Sequence, residues 1–158
     1  GNTTPSAEFN IWGDPEAAAM VFEAKFRRIT LVPLDATHRA LVSRSDCETL
    51  RALGTPAGSA AADFIGHRIE AYDESQPMDV LGTTPVHDAV CVGYLVDPAI
   101  IITRRHHVAV ETGGALTVGR TVIDTHFRGG GKPQCDVAFD ADPVRFMRLL
   151  QETFAKKA

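Results

Sequence analysis

Apolar and polar positions fall along the chain in blocks that predict helices and strands by turns. Asp14-Pro15-Glu16 opens a helix: Asp14 can cap it, Pro15 suits the first helical position, and Glu16 favours the positive end of the helix dipole. Met20, Val21 and Ala24 then fall along one face. Ile29-Thr30-Leu31-Val32 reads as a short buried strand ending at Pro33, with Leu34 to His38 as the loop after it. Ser45 or Asp46 is expected to cap a short helix ending near Gly54. Pro56 opens a longer helix through Tyr72, with Ala61, Phe64, Ile65, Arg68 and Ile69 at helical spacing. Asp73 to Gly82 is polar and marked by Pro and Gly, hence a loop and a candidate lid. Thr84-Pro85 is read as the start of another helix, apolar on nearly all sides from Ala89 to Val96 and so expected to be buried; Asp97-Pro98 ends it. Three strand-like runs follow, His106–Glu111, Leu116–Asp124 and Cys135–Phe139, the first two joined by a tight turn at Thr112-Gly113-Gly114. Asp142-Pro143 repeats the cap-and-proline device and opens a terminal helix to Ala155. The pattern is α/β, with an antiparallel hairpin near the C-terminus.

Composition narrows the partners. The chain has 158 residues, of which 44% are hydrophobic and 23% charged, an ordinary globular balance with a formal charge of −4. A nucleic-acid polymer or an anionic membrane calls for a basic face, so both are disfavoured. The longest apolar runs, Val90–Val96 and Ala99–Ile102, are far short of the ~20 residues that span a bilayer. Cys47, Cys91 and Cys135 form no CxxC pair, which argues for reduced thiols and a cytoplasmic setting rather than a disulfide framework.

Candidate chemistry sits in four places. Asn2, Glu8, Phe9 and Asn10 crowd one loop; two amides, a carboxylate and a ring can clamp a sugar, or can equally serve as caps and turn formers. His87-Asp88 lies in the first turn of the apolar helix, where a carboxylate can hold a hard cation and an imidazole can donate a proton, or where Asp88 merely caps. Thr37-His38 follows a strand, at the carboxyl end where α/β sites gather. His106-His107 point to opposite faces of a strand and read as structural. Gly129-Gly130-Gly131-Lys132 lacks the spacing of a phosphate loop, and no G-x-G-x-x-G is present, which disfavours a nucleotide-binding Rossmann protein.

Taken in order, several stretches resemble the nucleoside hydrolases, the inosine–uridine-preferring N-ribohydrolase family. They are Gly1-Asn2-Thr3-Thr4-Pro5-Ser6-Ala7-Glu8-Phe9-Asn10, Asp14-Pro15-Glu16-Ala17-Ala18, Pro33-Leu34-Asp35-Ala36-Thr37-His38, Thr84-Pro85-Val86-His87-Asp88-Ala89, and the tail from Val110-Glu111-Thr112 through Gly119-Arg120-Thr121-Val122-Ile123-Asp124. The resemblance implies part of a Rossmann-like nucleoside hydrolase fold, a mixed sheet flanked by helices. It implies hydrolysis of the N-glycosidic bond of ribonucleosides, in purine or pyrimidine salvage, with calcium as cofactor and a homo-oligomer at full length. By position, Asn2, Glu8 and Asn10 would hold the ribose, Phe9 would line its pocket, Asp88 would be a calcium ligand, and His87 would be the leaving-group acid. The family's Asp-rich calcium motif has no counterpart here, so residues 1–158 are expected to form the C-terminal half of a nucleoside hydrolase domain. Such a half is expected to be inactive alone and to need an N-terminal half or another chain; the alternative is a non-catalytic half-domain serving assembly.

Overall fold

The computed structural model describes residues 1–156. In chain order its elements are α1 (Phe9–Gly13), α2 (Pro15–Glu23), β1 (Thr30–Leu31), α3 (Leu34–Thr37), β2 (Leu41–Ser43), α4 (Arg44–Arg51), α5 (Pro56–Ser75), β3 (Thr83–Pro85) and α6 (His87–Val96). A 3-10 turn at Pro98–Ile100 leads into β4 (Ile101–Val110), β5 (Thr121–Asp124), β6 (Cys135–Ala141) and α7 (Pro143–Phe154). They divide into two compact units, one of Gly1–Leu34 with Thr103–Ala138, the other of Asp35–Ile102 with the chain from Phe139 onward.

The first unit carries a mixed sheet in the order β1-β6-β4-β5. β1 runs parallel to β6, with Thr30 opposite Asp136, while β4 and β5 form the expected antiparallel hairpin, with Val110 opposite Thr121. Val108, Cys135, Val137 and Phe22 are buried here. Gln134 acts as a substitute strand partner: its side-chain amide donates to the Val108 carbonyl at 2.7 Å and accepts from the Val108 N–H at 3.1 Å. β1 is half-buried rather than buried. The hairpin connection is also longer than expected. Glu111 Oε1 accepts the N–H groups of Gly113 and Gly114, and the chain rejoins the ladder only when Gly119 donates to the Glu111 carbonyl. β5 therefore begins at Thr121 and not at Leu116.

The second unit pairs β2 antiparallel with β3 and surrounds that pair with helices. Leu50, Ile69, Val90, Ile100 and Phe146 form its fully buried apolar centre, with Val42 from β2. Thr55 caps α5 and donates to the Phe154 carbonyl at 2.6 Å, tying the start of α5 to the end of α7. At Gly93 a side chain would meet Ile100, Phe146 and Leu149 at 3.2 to 3.5 Å, so glycine is what lets α6 approach α7. Arg145 closes the far end of that contact on Asp97 at 2.9 Å.

Four local expectations change. Leu34–Thr37 is one helical turn, not a loop. The cap of α4 is Ser43, not Ser45 or Asp46, and Asp46 completes its capping box from the third helical position. Thr84-Pro85 belongs to β3, and α6 begins at His87 behind Val86, which supplies no side-chain cap. Finally, α6 is not buried all round. Only Val90 and Gly93 are buried, whereas Val92, Leu95 and Val96 are 60%, 78% and 67% exposed. α6 lays one narrow face on its neighbours, and apolar composition alone does not provide a cover for the other.

Candidate functional site

Two clusters hold the residues singled out from the sequence, and they belong to different units. In the first unit the loop before α1 folds on itself. The Ala7 carbonyl receives the N–H groups of Asn2, Thr3 and Thr4, and Thr4 Oγ1 receives those of Ser6 and Ala7. Glu8 is the N-cap of α1: Oε2 accepts from the N–H groups of Asn10 at 2.9 Å and Ile11 at 3.2 Å. Its other oxygen, Oε1, accepts from the Asn10 amide at 3.2 Å. Asn2 Oδ1 accepts from the Phe9 N–H at 2.9 Å. Asn2, Glu8 and Asn10 are thus brought together, and the Phe9 ring stands beside them 63% exposed. Capping and turn formation are what this geometry performs; the outward edge of the same cluster still presents a carboxylate and an amide to solvent.

In the second unit His87 sits at the first position of α6, half-buried. Thr37 Oγ1, at the end of α3, lies 2.7 Å from His87 Nδ1, and the Tyr72 hydroxyl, on α5, lies 2.9 Å from His87 Nε2. Arg68 stands one turn before Tyr72 on α5. Its Nε donates to the Pro85 carbonyl at 2.9 Å, its Nη2 donates to the Tyr72 hydroxyl at 3.2 Å, and its guanidinium carbon lies 4.9 Å from the Tyr72 ring centroid. The His38 ring lies 5.7 Å from that of His87. Burial lowers the pKa of His38, with Asp35 opposing, so a neutral imidazole flanks His87 at neutral pH.

The sequence singled out Thr37-His38 and His87 separately, and the structure joins them. It did not single out Arg68 or Tyr72 as members of a site. Their i, i+4 spacing on a helix followed by a His-bearing helix was the available signal.

Asp88 is exposed in the first turn of α6. Calcium takes six to eight oxygens, and among the described residues no group of three or more His, Cys, Asp or Glu is placed to hold a metal ion. The residues present here therefore do not fit a complete calcium site. Among the described residues no helix is long and apolar enough to cross a membrane.

The sequence model of the family described as inosine-uridine preferring nucleoside hydrolase matches residues 1–148. The chain belongs to that family. It is similar to the pyrimidine-specific ribonucleoside hydrolase RihA of Salmonella newport, 40% identical over 152 residues, covering 96% of this chain and 48% of that protein. It is also similar to RihA of Citrobacter koseri, 38% identical over 155 residues, covering 98% and 49%. Among solved structures it superposes on a purine-preferring ribonucleoside hydrolase from Gardnerella vaginalis with a TM-score of 0.83 at 30% identity, covering 98% of this chain and 48% of that one. A plant nucleoside hydrolase gives a TM-score of 0.81 at 28% identity, covering 99% and 50%. The fold is accordingly the mixed α/β, Rossmann-like fold of nucleoside hydrolases. The chain spans about half the length of the curated relatives it matches.

Proposed function

We propose that this chain supplies the ribose-binding and leaving-group side of a ribonucleoside hydrolase site, and that an N-terminal half or another chain completes it. The observation that carries the proposal is the His87 cluster, an imidazole with a hydroxyl on each ring nitrogen, within a chain that matches the family along residues 1–148. The substrate class is ribonucleosides. RihA is named for pyrimidines and the Gardnerella protein for purines, so neither base is preferred in this proposal.

The reaction breaks the bond between C1′ and the base, and charge grows on both fragments. Glu8, Asn2 and Asn10 hold the sugar hydroxyls and Phe9 lines the pocket; such positioning counts only if the bound geometry is close to that of reaction. His87 serves the departing base, whose nitrogen must be protonated as the bond lengthens. Both its nitrogens are occupied by hydroxyls, so the ring's single N–H reaches the base when the base displaces the hydroxyl that accepts it. Calcium is the proposed cofactor, with Asp88 as one ligand and the remaining oxygens contributed from outside this chain. The open apolar face of α6 supports a covering segment, since exposed patches of this kind are uncommon on monomers. A homo-oligomeric, cytoplasmic enzyme of nucleoside salvage is the corresponding whole-protein proposal.

The test mixes the chain with a family N-terminal half that carries the Asp-rich stretch, and follows inosine and uridine hydrolysis with and without calcium. Hydrolysis by the combination but by neither half is the expected result. In the active combination, Asp88→Ala should raise the calcium requirement; an unchanged calcium titration removes Asp88 as a ligand. Binding of the two halves without any hydrolysis would favour the alternative, a non-catalytic assembly module, for which the same open face of α6 is the supporting observation.

A further inference from the structure

We propose that Tyr72 and Arg68 are positioning residues that set the tautomer of His87, keeping its proton on Nδ1 against Thr37 and leaving Nε2 as the acceptor of the Tyr72 hydroxyl. Arg68 is a donor only. Its Nε is committed to the Pro85 carbonyl and its Nη2 to the Tyr72 oxygen. Tyr72 is 8% exposed, so its single O–H proton needs an acceptor inside the protein. Of the two groups that its oxygen meets, Arg68 Nη2 at 3.2 Å and His87 Nε2 at 2.9 Å, only His87 can accept. An Nε2 that carried a proton would set two donors on one phenol oxygen and strand the phenol's own proton.

A neutral imidazole has one N–H. With Nε2 accepting, that N–H is on Nδ1, 2.7 Å from Thr37 Oγ1, which accepts it. Arg68 thus acts at one remove: it fixes the direction of the Tyr72 O–H, and Tyr72 fixes the ring. The same guanidinium holds the Pro85 carbonyl two residues before His87, so α5 sets both the tautomer and the position of the ring's backbone. The ring cannot turn over without breaking both hydroxyl contacts.

The catalytic consequence rests on the hydrolase proposal, but the tautomer belongs to the chain itself and is read without substrate. Long-range proton–nitrogen NMR spectra of the nitrogen-15-labelled chain, with His87 neutral, distinguish the two tautomers. The expected result is a protonated Nδ1 and an unprotonated Nε2 in the unaltered chain. A protonated Nε2 there overturns the proposal, and this needs no variant. Tyr72→Phe removes only the hydroxyl and should move His87 to a mixture of tautomers. Arg68→Met should do the same by freeing the phenol, and Arg68→Lys should restore part of the original state. Variants that keep the unaltered chain's tautomer overturn the assignment. In the completed enzyme, Tyr72→Phe should lower kcat by about tenfold with KM unchanged, less than the ~10²–10⁴-fold that the proton-transfer group itself contributes. A chain with the stated tautomer and its expected shift, but no nucleoside turnover on completion, supports the positioning and overturns only the hydrolase reading.

Discussion

The loop from Asn2 to Asn10 and the cluster around His87 use the same kinds of polar group in opposite ways. In the loop, partners lie two to seven residues apart, and most acceptors receive backbone N–H groups. Around His87 the partners lie 15 and 50 residues away and are side chains. The first arrangement draws its hydrogen bonds from a short stretch of chain, with the fully buried Ala7 packed against Gly119. The second exists only when α3, α5 and α6 are packed, so its precision is inherited from the core at Ile69, Val90 and Phe146. A cluster of the first kind can change its polar atoms for a ligand at little cost to the fold, whereas one of the second kind is held in place before any ligand arrives.

That contrast can be broken by experiment. The largest effect is expected at His87: in the completed enzyme His87→Ala should lower turnover by roughly 10²–10⁴-fold, most for poor leaving groups, beyond the loss of stability that leaves the Tyr72 hydroxyl without its acceptor. Turnover of inosine equal to that of the unaltered enzyme would remove His87 from the chemistry. Next comes Glu8. Glu8→Ala should cost about 1 kcal/mol in urea unfolding by uncapping α1. Glu8→Gln keeps an acceptor for Asn10 and Ile11, so it should recover most of that stability while still raising the KM for nucleosides. Equal loss of stability in both variants would show that the carboxylate charge, not the cap, is what matters.

A control in the first unit lies away from either cluster. Burial in the sheet pushes the Cys135 thiol from 9.0 up to about 11. A raised thiol pKa favours the neutral form in the folded state, so its contribution to stability is complete below pH 9.0 and is lost as pH rises through about 11. Denaturation midpoints of the unaltered chain and Cys135→Ala, compared across that window, should converge toward high pH; parallel curves would contradict it. The smallest effect is at Asp124, whose carboxyl pKa is held low by hydrogen bonds from the Gly129 and Arg128 N–H groups. Asp124→Ala should speed amide exchange at those two positions and leave the rest of the sheet protected.

What was legible in the sequence divides along the same line. Asp14 and Asp142 cap their helices as read, because a cap and its proline are adjacent in the chain. Where several residues can serve, adjacency does not decide: Ser43, Ser45 and Asp46 are all competent, and only the folded chain selects Ser43. Thr84-Pro85 imitates a cap and first turn, yet it pairs with Leu41 and Val42 in a strand ladder that local chemistry does not reveal. The loop cluster at Asn2–Asn10 was visible as a cluster, together with its capping alternative. For His87 the residue was visible but its partners were not. Tyr72 stood out only as the end of a helix, and Arg68 as one point on its face. Nothing in periodicity joins a position to another 15 or 50 residues away.

The outward row of Val92, Leu95 and Val96 on α6 has a practical consequence. Sticking between such aliphatic tips is driven by release of water and weakens on cooling. Samples of this polypeptide should therefore cloud on warming and clear when chilled, with the reversal, more than any single melting point, setting the temperature at which it is best handled.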